Sequence, residues 1–312
     1  MGGRTLSVGM SASPRSQALR RGGGCGQRQP LLRWRPQSGY EPSRVPRRRR
    51  HRLAGRRLGL SRAVRLLVVG AREPRRSIDA EFHANTSLPA DEDPADGYPP
   101  AYGDPDERSV DPSSFPTTTA NGETVRLAPI EVARYWHQRA DARFVDARGL
   151  EAYERSHIYG AVNSPAQRGS SGGGIGEWGK DDRIVCYCGC PHHLSSVRAS
   201  ALQQAGFSNV FVIDEGFGPW YENDLPMRGT DFSAPQEAFV DGEVDPQYAG
   251  DYAWATHEPS GQREAAPIGA DGAFSLHLKF YDVTDETPIR VQTPAFDVTE
   301  PLGELTDAVL TG

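Results

Sequence analysis

Lysine is almost absent: the 312-residue chain has two, Lys180 and Lys279. Long apolar runs are absent as well. The best one near the N-terminus, Leu66-Leu67-Val68-Val69, is closely flanked by Arg65 and Arg72. A membrane span needs roughly 18 consecutive apolar residues, and a secretory signal core roughly 7–15. No membrane span is therefore expected. A cytoplasmic location is the default reading, with an exported or cell-surface protein as the alternative. Cysteine is scarce too, with four in all, too few to staple a chain of this size. Three of them, Cys186, Cys188 and Cys190, crowd into one segment, which points to chemistry rather than stapling.

The net charge of −6 hides a split. Residues 1–76 hold 20 arginines, no lysine and two acids, a net of +18. From Ser77 onward, 39 acids face 15 basic residues, a net of −24. The overall charge therefore describes neither half. An acidic chain that uses arginine in place of lysine reads as salt-adapted, or halophilic, because salt screens its self-repulsion. Residues 1–76 have no apolar period to bury and read as an Arg-rich disordered extension. Charge alone does not make a nucleic-acid arm, so no nucleic-acid partner is favoured. Residues 77–126 are rich in Pro, Asp and Thr and read as a linker. Everything up to about Ala120 is thus expected to be dispensable for fold and chemistry.

Order is expected from Leu127. Ile130, Ala133, Trp136 and Ala140 recur at near-helical spacing after Pro129. Short strands are predicted at 143–146, 183–187 and 210–213, with helices at 150–155 and 194–205. Gly206-Phe207 reads as a Schellman stop. Strands alternating with helices imply a parallel α/β sheet. After Pro226 the pattern changes to strands at 238–244, 252–257, 274–283 and 289–293, separated by turn signals. This reads as a small all-β, sandwich-like module.

Cys188 ends a buried strand and precedes a helix, with Gly189-Cys190-Pro191-His192-His193 between. A loop bending into a helix N-terminus turns backbone N–H groups inward and favours an anion. A cysteine there is favoured as thiolate, the nucleophilic form. Ser195 or Ser196 is placed to cap the helix. Cys186, two residues earlier on the strand, reads as a core residue. Cys190 reads either as a resolving thiol or as a loop filler. Cys188, Cys190, His192 and His193 are four potential zinc ligands, but they lie too close in sequence to close a tetrahedron. No metal or cofactor is expected. Gly174-Ile175-Gly176-Glu177-Trp178-Gly179 fits a dinucleotide fingerprint, but it precedes a strand instead of following one and is set aside.

The segments Asp146-Ala147-Arg148, Ser156-His157-Ile158-Tyr159-Gly160-Ala161, Tyr187-Cys188 with its loop and helix, Gly206-Phe207, and Asp214-Glu215-Gly216 before Trp220 and Pro226 resemble a single rhodanese domain. The resemblance spans Leu127 to Arg228. It implies a rhodanese-like parallel sheet flanked by helices, with Cys188 matching the sulfur-carrying cysteine. It also implies that Asp146 and Arg148 shape the domain near the active loop. The commonest family pattern has Arg near both ends of that loop to hold an anionic donor. Here Gly189, His192, His193 and Leu194 stand there instead. The loop is similar to Cys-x-Cys-Pro variants in which an Arg lies one turn into the helix, as Arg198 does. Sulfur transfer stays the expected activity and the donor stays open, with His192 and His193 expected to improve thiosulfate handling as pH falls. Leu194 occupies the place where phosphatases built on this fold need Arg, which sets phosphoryl transfer aside.

The expected layout is therefore a rhodanese-like domain over residues 127–230 and an all-β domain over 231–312. The expected function is a sulfurtransferase or sulfur carrier working through a Cys188 persulfide, with a small sulfur donor and a thiol acceptor as partners. The active loop is Gly189, Cys190, Pro191, His192, His193 and Leu194, supported by Asp146, Arg148, His157 and Arg198. The alternative is a non-catalytic or redox-sensing binding module using the Cys188/Cys190 pair.

Overall fold

The computed structural model describes residues 4–7, 81–83, 96–167, 175 and 177–312. All of them belong to one compact unit. Most of the Arg-rich extension and of the first part of the linker, and Gly174 and Gly176 of the Gly-rich fingerprint match, lie outside the described residues. Among the described residues, no helix is long and apolar enough to cross a membrane.

Two isolated strands come first, β1 (Arg4–Ser7) and β2 (Glu81–His83). The α/β part runs through β3 (Thr117–Ala120), β4 (Glu123–Ala128), α1 (Ile130–Gln138), β5 (Arg143–Asp146), α2 (Leu150–Arg155), β6 (Ser156–Ile158) and β7 (Val162–Asn163). It continues with β8 (Ile184–Tyr187), α3 (Leu194–Gln204), β9 (Val210–Ile213), α4 (Gly218–Glu222) and β10 (Met227–Gly229). The central sheet has the order β3-β4-β9-β8-β5-β7. The pairs β4–β9, β9–β8, β8–β5 and β5–β7 are parallel, and only the β3–β4 hairpin is antiparallel. All four residues of β8 are buried, as a strand covered on both faces requires. Trp136, Phe144, Phe211 and Trp220 fill one face. Cys186, Leu202, Phe207 and Val212 fill the other. The helix α3 ends as its sequence implies: Gly206 has φ +92°, and the Phe207 N–H reaches back to the Leu202 carbonyl.

The C-terminal β module holds β11 (Gln236–Glu243), β12 (Tyr252–His257), β13 (Gln262–Pro267), β14 (Ala273–Phe280), β15 (Pro288–Gln292), β16 (Asp297–Pro301), the short α5 (Leu302–Thr306) and β17 (Ala308–Thr311). Two four-stranded sheets, β1-β17-β11-β14 and β13-β12-β15-β16, enclose a core. Val240, Leu276, Leu278 and Phe280 meet Ala253, Ala255, Ile289 and Val291 there. The arrangement is a sandwich, with β13, β16 and β17 added to the strands read from sequence.

Two stretches at the N-terminal side pair with strands of the folded part. Arg4–Ser7, read as part of a structureless extension, pairs in parallel with Ala308–Thr311. An edge strand offers unpaired N–H and C=O groups that any extended segment can satisfy. The linker reading of 77–126 also gives way over its described part. Glu81–His83 pairs with β10. Thr117–Ala120 pairs with β4. Phe115 sits on Trp136 and Phe211, each with ring centroids 6.0 Å apart. The Tyr102 hydroxyl lies 3.0 Å from Nδ1 of the buried His137, whose Nε2 donates to the Tyr159 carbonyl at 2.8 Å. A few anchors spaced along a polar stretch hold it down without any apolar period, which is why its composition misleads.

Candidate functional site

Strand β8 delivers Cys188 to the C-terminal edge of the sheet, and α3 begins six residues later. The loop between them is held from behind. The Phe217 N–H donates to the Cys188 carbonyl at 2.9 Å. Gly216 has φ +75°, and a Cβ there would stand 3.0 Å from the Cys190 backbone, so the loop and the Asp214-Glu215-Gly216 turn fit only with glycine. His192 takes φ +43° and sets its Nε2 2.9 Å from Asp214 Oδ1. Pro191 is exposed, whereas Leu194 is buried in a cluster with Cys188, Cys190 and Val197.

Cys188 is fully buried, its Sγ 2.9 Å from the Cys190 carbonyl oxygen and 3.3 Å from Ser195 Oγ. As a thiol it donates to that carbonyl. As a thiolate it accepts from the Cys190 thiol, the Ser195 hydroxyl and the backbone N–H groups of both residues. Burial alone would raise its pKa, but these converging donors outweigh it and bring the pKa down to about 6. The proton stays on Cys190, whose pKa rises through its bond to Cys188, its burial and the neighbouring Glu264. Cys186 sits in the core, and burial pushes its thiol up to about 12. One backbone geometry thus gives three cysteines three different states.

Ser195 serves the thiolate instead of the helix end. His193 is the N-cap of α3 and makes no side-chain cap. Its Nδ1 lies 3.4 Å from Cys190 Sγ, and burial lowers its pKa, with His192 and His277 adding to the effect. That shift opposes a positive charge on His193.

The supporting residues separate into different places. Arg148 holds Asp146 through both carboxylate oxygens, with the shortest contact at 2.6 Å, and its guanidinium lies 4.4 Å from the Phe217 ring centroid. This buried pair fixes the segment between β5 and α2 beside the loop. His157 donates from Nδ1 to the Tyr153 carbonyl at 2.7 Å and stacks on the Tyr153 ring, fastening α2 to β6. Arg198 is buried, and the thiol whose charge it feels is Cys186, two residues before Cys188 on the strand.

What the α/β part lacks at the loop comes from the β module. Trp254 and Ala265 pack into the same buried cluster as Cys188 and Cys190. Lys279 Nζ donates to the Gly189 carbonyl at 3.4 Å. Glu264 Oε2 is 3.7 Å from Cys190 Sγ. A cavity of about 260 Å³ lies between loop and module, lined by Arg148, Gly189, Phe217, Glu264, Lys279 and Tyr281 among others. Lys279 carries a faint sequence signal as one of two lysines in the chain. Glu264 and Trp254 carry none.

The family called Rhodanese-like domain matches residues 131–223. Over 100 residues the chain is 32% identical to "Thiosulfate sulfurtransferase 16, chloroplastic" of Arabidopsis thaliana, spanning 28% of this chain and 82% of that one. The chain belongs to the rhodanese-like family. The rhodanese-like domain is also 32% identical over 90 residues to "Uncharacterized protein YibN" of Escherichia coli (strain K12), covering 28% of this chain. The chain spans 62% of the length of that relative. Among solved structures, the rhodanese-like domain of the Anabaena sp. Alr3790 protein aligns at 21% identity with a TM-score of 0.28, covering 33% of this chain and 78% of that one.

Proposed function

We propose that the chain is a sulfurtransferase or sulfur carrier that moves sulfane sulfur through a persulfide on Cys188. The observation that carries this reading is the set of donors converging on Cys188 Sγ, which keeps it a thiolate at neutral pH. The thiolate attacks the sulfane sulfur of a small donor, the donor leaves as its anion, and the new S–S bond holds the sulfur at the start of α3. A thiol acceptor then removes it. The cradle that stabilises the thiolate stabilises a persulfide anion for the same reason. The relative named as a thiosulfate sulfurtransferase agrees with this chemistry.

A second reading is a redox-sensing binding module. It draws on the burial of both Cys188 and Cys190 under the β module and on the bond between their thiols. Intact-protein mass spectrometry of freshly isolated, unreduced protein separates the two. Sulfur carriage predicts a gain of one sulfur atom, removable by thiol and absent in Cys188→Ser. Redox sensing predicts a loss of two hydrogens instead. Equal sulfur-transfer rates for wild type and Cys188→Ser sink the first reading.

A further inference from the structure

The sandwich places a buried acid against the active loop. Glu264 is 3% exposed although it stands on a strand that is otherwise unremarkable in sequence. A carboxyl is rarely buried without a reason, since burial opposes its charged form. Its Oε2 approaches Cys190 Sγ, its Oε1 would lie 3.9 Å from a Cβ at Gly189, and the side chain borders the cavity. It therefore links the cavity to the loop that carries Cys188.

Unloading a persulfide onto a thiol needs a base, because the thiolate and not the thiol attacks. The loop histidines are poorly placed for this. His192 is turned to Asp214, and His193 stands at Cys190 with its pKa lowered. Two other carboxylates border the cavity. Glu237 is half exposed and already bound to His277 and Lys279. Glu222 lies on the exposed side of α4.

We propose that Glu264 is the general base that deprotonates a small thiol acceptor in this cavity, which makes the β module part of the active site. The inference rests on the sulfur-transfer reading above. In the step, the acceptor R–SH gives its proton to the Glu264 carboxylate. The persulfide anion left by loading takes up a proton from solvent, and the thiolate R–S⁻ attacks the outer sulfur of the resulting Cys188 Sγ–SH. The new S–S bond forms as the Sγ–S bond breaks, and its electron pair stays on Cys188. The products are R–S–SH, the Cys188 thiolate and a protonated Glu264. The sulfane sulfur supplies the oxidising equivalents, so no further oxidant enters. Cys188 leaves readily because its thiolate is stabilised.

The groups facing Glu264 raise its affinity for a proton above that of an exposed carboxylate. Burial first, and then the Cys188 charge, hold its carboxyl well above the usual range, against the pull of Cys190, Arg148 and Lys279. His193 and Glu237 complete the titratable surroundings through Cys190 and Lys279 respectively.

The test separates loading from unloading in the full chain. Cys188 is loaded from inorganic polysulfide, checked by intact mass, and then mixed with 2-mercaptoethanol while the loss of the extra sulfur is followed across pH. Glu264→Gln keeps the shape and loses the base. Its loading should change far less than its unloading, which should slow at least about a hundredfold and follow only the ionisation of the acceptor itself. Glu264→Asp should recover part of the rate, and thermal midpoints check that both variants fold. Wild-type unloading with a wild-type pH profile in Glu264→Gln overturns the proposal. So does an equal slowing of loading and unloading, which marks a packing role. Failure of the wild type to load any sulfur overturns the sulfur-transfer reading and the role of Glu264 with it.

Discussion

Ser195→Ala isolates one of the donors that hold the Cys188 thiolate. The hydroxyl lies 3.3 Å from Cys188 Sγ, and Ser195 is fully buried, so no water replaces it. A hydrogen bond to a charged group is worth about 1.5–3 kcal/mol, and one pKa unit corresponds to about 1.4 kcal/mol. The variant should therefore raise the Cys188 pKa from about 6 by about 1–2 units. At pH 7 the thiolate fraction would drop from about nine-tenths to between about a half and a tenth. Thiolate ultraviolet absorbance against pH reads this without requiring a reagent to reach a buried sulfur. Cys186 and Cys190 titrate far higher and do not overlap this step, and the fourth thiol is removed from the absorbance by carrying both titrations out in a Cys25→Ser background. Sulfur loading at pH 7 should fall in proportion to the thiolate and recover at higher pH. An unchanged titration midpoint would show that the backbone N–H groups and Cys190 hold the thiolate by themselves, and would refute the role of the hydroxyl.

Cys186→Ser puts a hydroxyl into an apolar core and should cost about 1–3 kcal/mol in denaturant unfolding, with sulfur transfer per folded molecule unchanged. Trp254→Ala should cost about 3–5 kcal/mol by the same measurement, and should speed the alkylation of Cys188, because the indole packs in the cluster that covers the loop. The lowered folded-state pKa of Cys188 contributes stability that is fully present above the unfolded value of 9.0 and is lost as pH falls through about 6. The stability advantage of wild type over Cys188→Ser should accordingly shrink on going from pH 9 towards pH 6 in paired unfolding curves; an advantage flat across that range contradicts the thiolate assignment. A chain starting at Asn121 loses β3, Phe115 and Tyr102, and its thermal midpoint should fall by about 10 °C. An unchanged midpoint would return residues 96–120 to the status of a linker.

Local pattern was enough to place Cys188. A four-residue apolar strand, a short loop with glycine and proline, and a helix closed by Gly206 are all encoded within about 25 residues of one another, and they put Cys188 at a sheet edge facing a helix N-terminus. Alternation alone would put Cys186 and Cys188, two residues apart, on one face; they differ because the strand ends at Tyr187, which leaves Cys186 in the core of the sheet and Cys188 at the loop. The alternating Ser275-Leu276-His277-Leu278 likewise marked β14, because its inward face meets only apolar neighbours.

Long-range packing decided the rest. In β13 the polar Gln262 and Glu264 are buried, so the polar-out rule assigns the strand no inward face and hides it. Those two residues are polar because they meet another part of the chain: Gln262 bonds the backbone of Tyr281 on both sides, and Glu264 meets Cys190. The linker reading of residues 96–126 failed because Tyr102 and Phe115 are anchored by partners far along the chain. Ser195 looked like a helix cap until the fold brought Cys188 within reach of its hydroxyl. Sequence periodicity reports which side of an element faces away from water. It does not report what stands opposite, and at this site what stands opposite is the β module, with Trp254, Glu264 and Lys279 closing over the loop.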